Sequence, residues 1–173
     1  MSSIRLVVLL LLTLSIAACG PSYIRTDSGY EDVRGFRIDP EAEIPDVEEN
    51  REIVDLLLRY REAVINKDVG DLKRMIADDY YENAGTTVTT GDDYGISELE
   101  RVFEMVSKHA DSIRYDVVVK DLKIDREKAR IDYEYSYSYR YDIADQATWD
   151  AGNELNRLEF EDRDGEWKIV SGL

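Results

Sequence analysis

The stretch Ala129–Ile143 reads A-R-I-D-Y-E-Y-S-Y-S-Y-R-Y-D-I, and its alternation decides how the rest of the chain must fold. One set of alternate positions carries Ala129, Ile131, Tyr133, Tyr135, Tyr137, Tyr139, Tyr141 and Ile143; the other carries charged and hydroxyl side chains. A period of two over this length specifies one long β-strand with a tyrosine face and a charged face. Each tyrosine presents roughly 150–250 Å² of surface. Leaving five such rings in water would forfeit on the order of 10 kcal/mol at ~25 cal/mol per Å². The tyrosine face is therefore expected to look inward, with other elements covering it.

Working outward, Ile113, Tyr115, Val117 and Val119 alternate in the same way, and Leu122 and Ile124 resume one register later. That slip predicts a β-bulge near Lys120-Asp121. After the tyrosine strand the reading is a loop over Ala144–Asn153, then strands over Glu154–Arg163 and Glu166–Gly172 joined through Asp164-Gly165, a strong hairpin signal. Before the strands lie three helical patterns. Ile53, Leu57, Tyr60 and Val64 share one helix face, with Asp46 expected as its N-cap and Asn66-Lys67 as its end. Asp68 caps a short second helix carrying Leu72, Met75 and Ile76. Ser97 and Glu100 read as a capping box for a third, with Leu99, Val102, Phe103 and Val106 inward and His109 near its end. Helices followed by an antiparallel meander make an α+β domain over 46–173: a curved antiparallel sheet, cone-like, with three helices on its concave face.

The N-terminus reads differently. Arg5 precedes an apolar run from Leu6 to Leu14, too short for a comfortable membrane span of ~20 residues. The run ends in L-S-I-A-A-C, an aliphatic residue and small residues before the only cysteine, Cys19. This resembles the bacterial lipobox, which implies that residues 1–18 are a lipoprotein signal peptide and that Cys19 becomes the lipidated N-terminus. An ordinary secretory signal and an uncleaved anchor are the alternatives. Gly20 follows in place of the aspartate that retains such proteins in an inner membrane, so the resemblance implies an outer-membrane destination in the cell envelope. Residues 19–45 hold all three prolines and scattered apolar side chains without period, and are expected to be a flexible tether, with packing of Phe36–Ile44 on the domain as the alternative.

Composition narrows the function. A net charge of −16 argues against nucleic-acid partners and against a peripheral hold on anionic lipid. One cysteine excludes an internal disulfide, and one histidine excludes a His-rich zinc site. Gly91-Asp92-Asp93-Tyr94-Gly95 lacks calcium-loop spacing. No phosphate-binding glycine loop or nucleophile motif occurs. No metal or cofactor is expected.

From the long first helix through N-K-D-V-G-D-L-K-R-M-I-A-D-D-Y-Y-E-N-A-G to the closing D-G-E-W-K-I-V-S-G-L, the chain resembles the nuclear transport factor 2-like superfamily, including its SnoaL-like and ketosteroid isomerase-like members. The resemblance implies a pocket between helices and sheet. It also implies roles for particular residues. Tyr60, in an Arg-Tyr pair eight residues before Asp68, matches the oxyanion-stabilising tyrosine of the isomerases. Their general-base position falls on Ala84, which takes no proton, and their second acid falls on Asn156. Glu82 shares the strand parity of Ala84 and is the substitute base of an isomerase or dehydratase reading. Twelve tyrosines against three phenylalanines favour a polar-lined pocket over a dry core, because each buried hydroxyl needs a partner.

The expected function is thus a lipid-anchored envelope protein whose pocket, lined by Tyr60, Asn156 and Tyr133, Tyr135, Tyr137, Tyr139 and Tyr141, binds a small amphipathic ligand or a partner without catalysis. An isomerase or dehydratase acting on a small hydrophobic carbonyl compound is the second reading, and an interaction module with a filled core the third. The charged outer face of the tyrosine strand offers little apolar area, which favours a monomer over a dimer.

Overall fold

A computed structural model describes residues 21–83, 93–143 and 146–173. Cys19, the segment before it and Ala84 lie outside the described residues. In chain order the elements are β1 (Phe36–Ile38), α1 (Glu48–Asn66), α2 (Val69–Met75), β2 (Tyr81–Glu82), β3 (Tyr94–Gly95), α3 (Ile96–His109), β4 (Ala110–Asp125), β5 (Lys128–Ile143), β6 (Gln146–Arg163) and β7 (Glu166–Ser171).

The tyrosine strand is β5, and it pairs antiparallel along its length with β4 on one side and β6 on the other. The sheet order is β1-β4-β5-β6-β7, a curved, unclosed and mostly antiparallel sheet with the three helices on one face. The register slips between Val119 and Asp121, where the apolar pattern places the bulge. Asp164 and Gly165 make the β6–β7 turn with positive φ at both positions. The buried side chains Ile131, Tyr133, Leu158, Phe160 and Ile169 of the sheet meet Ile53, Val54 and Leu57 of α1 to form the core.

Three local expectations change. The residues expected as a loop before Glu154 belong instead to β6, whose pairing with β5 runs on to Ile143 opposite Gln146. Alternation is weak there because Ala147, Ala151 and Gly152 carry little side chain to read. Asp46 does not cap α1; its carboxylate binds the Arg51 guanidinium at 2.6 and 2.9 Å, and Val47 holds the cap position without a side-chain bond. The third helix starts two residues earlier than its Ser97–Glu100 box implies, at Ile96. The Gly95 N–H reaches Glu98 at 3.4 Å, while Glu100 pairs with Lys73 at 3.3 Å. Asp68 does cap α2, accepting from the Asp71 N–H at 2.9 Å.

The largest correction concerns the tether. Ile24, Tyr30, Phe36, Ile38, Ala42 and Ile44 are all buried, so the chain from Ser22 onward is a strap built into the domain. Its apolar residues lack a period because successive turns, not one regular element, aim them inward. Ile24 N–H donates to Ile44 C=O and Asp46 N–H to Ser22 C=O, both at 2.8 Å, closing the strap on itself. β1 lies parallel to β4, pairing Phe36 with Val117 and Ile38 with Val119, and covers part of an otherwise open sheet edge. Tyr30 donates to Asp55 at 2.8 Å, tying the strap to α1.

Arg61 fixes the strap from below. Only 7% exposed, it donates to the Tyr115 carbonyl of β4 at 2.8 Å and to the Arg34 carbonyl of the strap at 2.6 Å. Burial lowers its pKa, opposed by the nearby Asp116 and Glu62 carboxylates. The strap passes this guanidinium at Gly35 (φ +79), where a Cβ would stand 2.2 Å from Asp116 Oδ1.

Candidate functional site

α1 ends in a left-handed residue, Lys67, so that α2 folds back and leaves the last turns of α1 facing a gap. α3 spans that gap. Between them and the sheet lies a cavity of about 510 Å³, walled by Tyr60 and Val64 of α1, Leu72 of α2, Leu99 and Phe103 of α3, and Tyr115 and Tyr139 of the sheet. The walls are predominantly apolar, and the helical spacing that directs Leu72, Leu99 and Phe103 inward was visible in the sequence.

Tyr60 is the polar feature of this space. It is 9% exposed, its ring meets Tyr115 edge-on at 6.3 Å, and no group among the described residues hydrogen-bonds its hydroxyl. Burial, reinforced by the surrounding tyrosine hydroxyls, raises its pKa well above the ordinary phenol value. The hydroxyl is therefore a neutral donor on a residue that lines the cavity. Two charged side chains reach the lining, and both have other partners. Lys67 Nζ donates to the Ala110 carbonyl at 2.8 Å. Glu98, half exposed, accepts from Gly95 N–H and lies 3.5 Å from Arg101.

The strand tyrosines divide by depth. Tyr133 is fully buried, and its hydroxyl accepts from Asn156 Nδ2 at 3.0 Å. Asn156 Nδ2 also donates to the Gly172 carbonyl at 2.7 Å. Gly172 is constrained as well: its φ is +97, and a Cβ there would stand 1.9 Å from the Arg157 carbonyl oxygen. Tyr135 donates to Glu154 at 2.9 Å. Tyr135, Tyr137 and Tyr139 stack in sequence at 6.0 and 5.1 Å between ring centres. Tyr137 lies over Gly152, and half-buried Tyr141 stands opposite Ala110 and Thr148 at the hairpin end.

A second, more polar cleft of about 860 Å³ contains Glu82, Asn156, Tyr135 and Glu154. Tyr94 and Leu173 line both spaces and stand between them, the Tyr94 hydroxyl donating to the Leu173 carbonyl. Glu82 accepts the Gly172 N–H at 2.7 Å. The single pocket expected from the sequence is therefore two. Tyr60 and Tyr139 face the apolar cavity; Asn156, Tyr135 and Glu82 face the polar cleft; Tyr133 and Asn156 form a hydrogen-bonded link in the wall. The partition went unseen because Tyr94 sits next to a stretch with no hydrophobic period, and Leu173 follows the last strand. Among the described residues no group of three or more His, Cys, Asp or Glu side chains is placed to hold a metal ion.

The buried phenols carry a pH prediction. Burial raises the pKa of Tyr60, Tyr115 and Tyr133 in the fold. A raised folded value means their stabilising contribution is intact below the unfolded phenol pKa of about 10 and is lost as pH rises toward the folded values. Phenolate absorbance should therefore rise in two stages, the second coinciding with loss of the sheet's circular dichroism. A single smooth titration of all 12 tyrosines with the sheet intact would contradict the burial described here.

No family model and no curated protein matches the sequence. Solved structures do. A conserved protein from Planctomyces limnophilus DSM 3776 is 15% identical with a TM-score of 0.60, over 72% of this chain and 98% of that one. A nuclear transport factor 2-like superfamily protein from Salmonella enterica serovar Typhimurium is 13% identical with a TM-score of 0.56, over 70% and 89%. A "putative dehydratase from the NTF2-like family" of Streptomyces avermitilis is 12% identical with a TM-score of 0.55, over 70% and 91%. At these identities the likeness is one of fold.

Proposed function

On this nuclear transport factor 2-like cone fold, we propose that the chain is a lipid-anchored protein of the bacterial envelope whose apolar cavity binds a small amphipathic ligand without catalysis. The observation that carries the reading is Tyr60, a residue nine-tenths buried that lines about 510 Å³ of space and whose hydroxyl is bonded to no described group. A donor that a bound ligand shields from water and leaves unpaired costs about 1–3 kcal/mol, so a ligand bearing an oxygen acceptor is favoured there over a purely apolar one. The volume falls in the range of small-molecule sites, ~300–1,000 Å³.

The partition supports the non-catalytic reading. An isomerase or dehydratase needs the donor and a base around one substrate. Tyr60 faces one space; Asn156 and Glu82 face the other, and Ala84 stands at the family's base position. The envelope location rests on Leu14-Ser15-Ile16-Ala17-Ala18-Cys19, with outer-membrane sorting favoured by Gly20. Cys19→Ser should abolish palmitate labelling and processing of the precursor; undiminished labelling would contradict the anchor.

The cavity is tested with a solvatochromic naphthyl ketone, an apolar ring system with one carbonyl acceptor. The ketone should bind with a blue-shifted emission. Tyr60→Phe should weaken it by one hydrogen bond, about 0.5–1.5 kcal/mol, or roughly two- to tenfold in Kd. Equal affinity in the variant would remove Tyr60 from the site.

A further inference from the structure

We infer that the strap holds one particular end of the domain, the end at Tyr23, Pro45 and Val47, directly against the membrane surface. The inference rests on the lipid anchor at Cys19 and goes beyond it in assigning the surface that meets the bilayer. A flexible tether of about 27 residues would let the domain ride ~30 Å out and present any face. The structure removes that freedom. The Ser22 carbonyl already accepts the Asp46 N–H at 2.8 Å, Tyr23 bridges Pro45, and Ile24 is fully buried.

Three peptide steps therefore separate Cys19 from a fixed point of the fold. Fully extended, they span at most about 10–11 Å. The surface around that point includes Val47, half exposed, and the Tyr23 ring with the Arg25 guanidinium 5.3 Å over it. Asp46, Glu48 and Glu49 stand beside them and disfavour an anionic surface, so the surface that fits is a zwitterionic phospholipid headgroup layer.

The ligand cavity lies elsewhere. At 1.5 Å per residue, Tyr60 and Val64 sit roughly 20–25 Å along α1 from Val47. Met105, 56% exposed on α3 beside the cavity wall, marks that far end. A ligand thus enters from the aqueous compartment rather than from the bilayer.

Val47 and Met105 are similarly apolar and exposed, so a comparison between them reads geometry rather than hydrophobicity. The test uses the full-length, processed protein in phosphatidylethanolamine-rich vesicles, with p-benzoylphenylalanine at either position. Photolysis should link the Val47 probe to phospholipid severalfold more than the Met105 probe. A roughly 20-residue Gly/Ser spacer inserted after Gly20, with a reach of about 25 Å, should erase the difference. Equal or reversed yields without the spacer would overturn the inference. So would a difference that survives the spacer. Mass spectrometry of the N-terminal peptide separates the two readings: a lipidated Cys19 with equal yields overturns only the orientation, whereas an unlipidated Cys19 overturns the anchor itself.

Discussion

Replacing Phe36 with alanine is expected to lower the unfolding free energy by about 3–5 kcal/mol. The ring is 1% exposed, lies 5.6 Å from Tyr30, and stands opposite Val117 in the one parallel pair of the sheet. Its removal leaves a cavity that the strap cannot close, because Arg61 fixes Arg34 on one side and the Val117 N–H holds the Gly35 carbonyl at 2.8 Å. Domains of this size are stable by only about 5–15 kcal/mol, so the variant should sit close to its unfolding threshold. Urea denaturation checks this as a fall in midpoint with an unchanged slope. A side chain on a flexible tether would change stability by less than about 0.5 kcal/mol, the usual range for surface positions.

The second large effect is on binding. Val64→Trp places an indole into the cavity from α1 and should reduce affinity for the naphthyl ketone by more than tenfold, about 1.4 kcal/mol or more. Stability should change little, since the added ring enters open space. Were the space already filled by side chains, the same substitution would overpack the core at a cost of about 1–3 kcal/mol and leave ketone binding unaffected. The two quantities move in opposite ways under the two accounts, so measuring both on one variant distinguishes them.

The sheet was legible because β5 states its own geometry: side-chain period, face and length are all in the alternation of Ala129–Ile143, and the bulge at Val119–Asp121 appears as a slipped register. The strap was legible only as an alternative for Phe36–Ile44, and its first half, with Ile24 and Tyr30, not at all. Phe36 and Ile38 do alternate, but three residues are too few to distinguish a strand from scattered apolar side chains, and three prolines nearby favour the looser reading. Arg61 gave no signal either, since nothing local marks an arginine whose partners are backbone carbonyls 27 and 54 residues away. For the site, helical spacing identified Tyr60 and its apolar neighbours correctly as inward-facing. What it could not supply was the wall between Tyr60 and Asn156, because a tyrosine beside a loop and a residue beyond the last strand carry no period. Strand parity alone put the five tyrosines on one face, yet burial along that face runs from complete at Tyr133 to partial at Tyr141 as the hairpin extends beyond the helices.

The central claim, that the apolar cavity beside Tyr60 is the binding site, is tested most directly by methyl NMR during titration with the naphthyl ketone. The cavity and the cleft carry different reporters: Val64, Leu72, Leu99 and Val106 line the first, and Val170 lines the second. Saturable shifts concentrated on Val64, Leu72, Leu99 and Val106, reduced in affinity by Tyr60→Phe, are the predicted result. Shifts centred on Val170, or no saturable shifts at the four cavity residues, would contradict it.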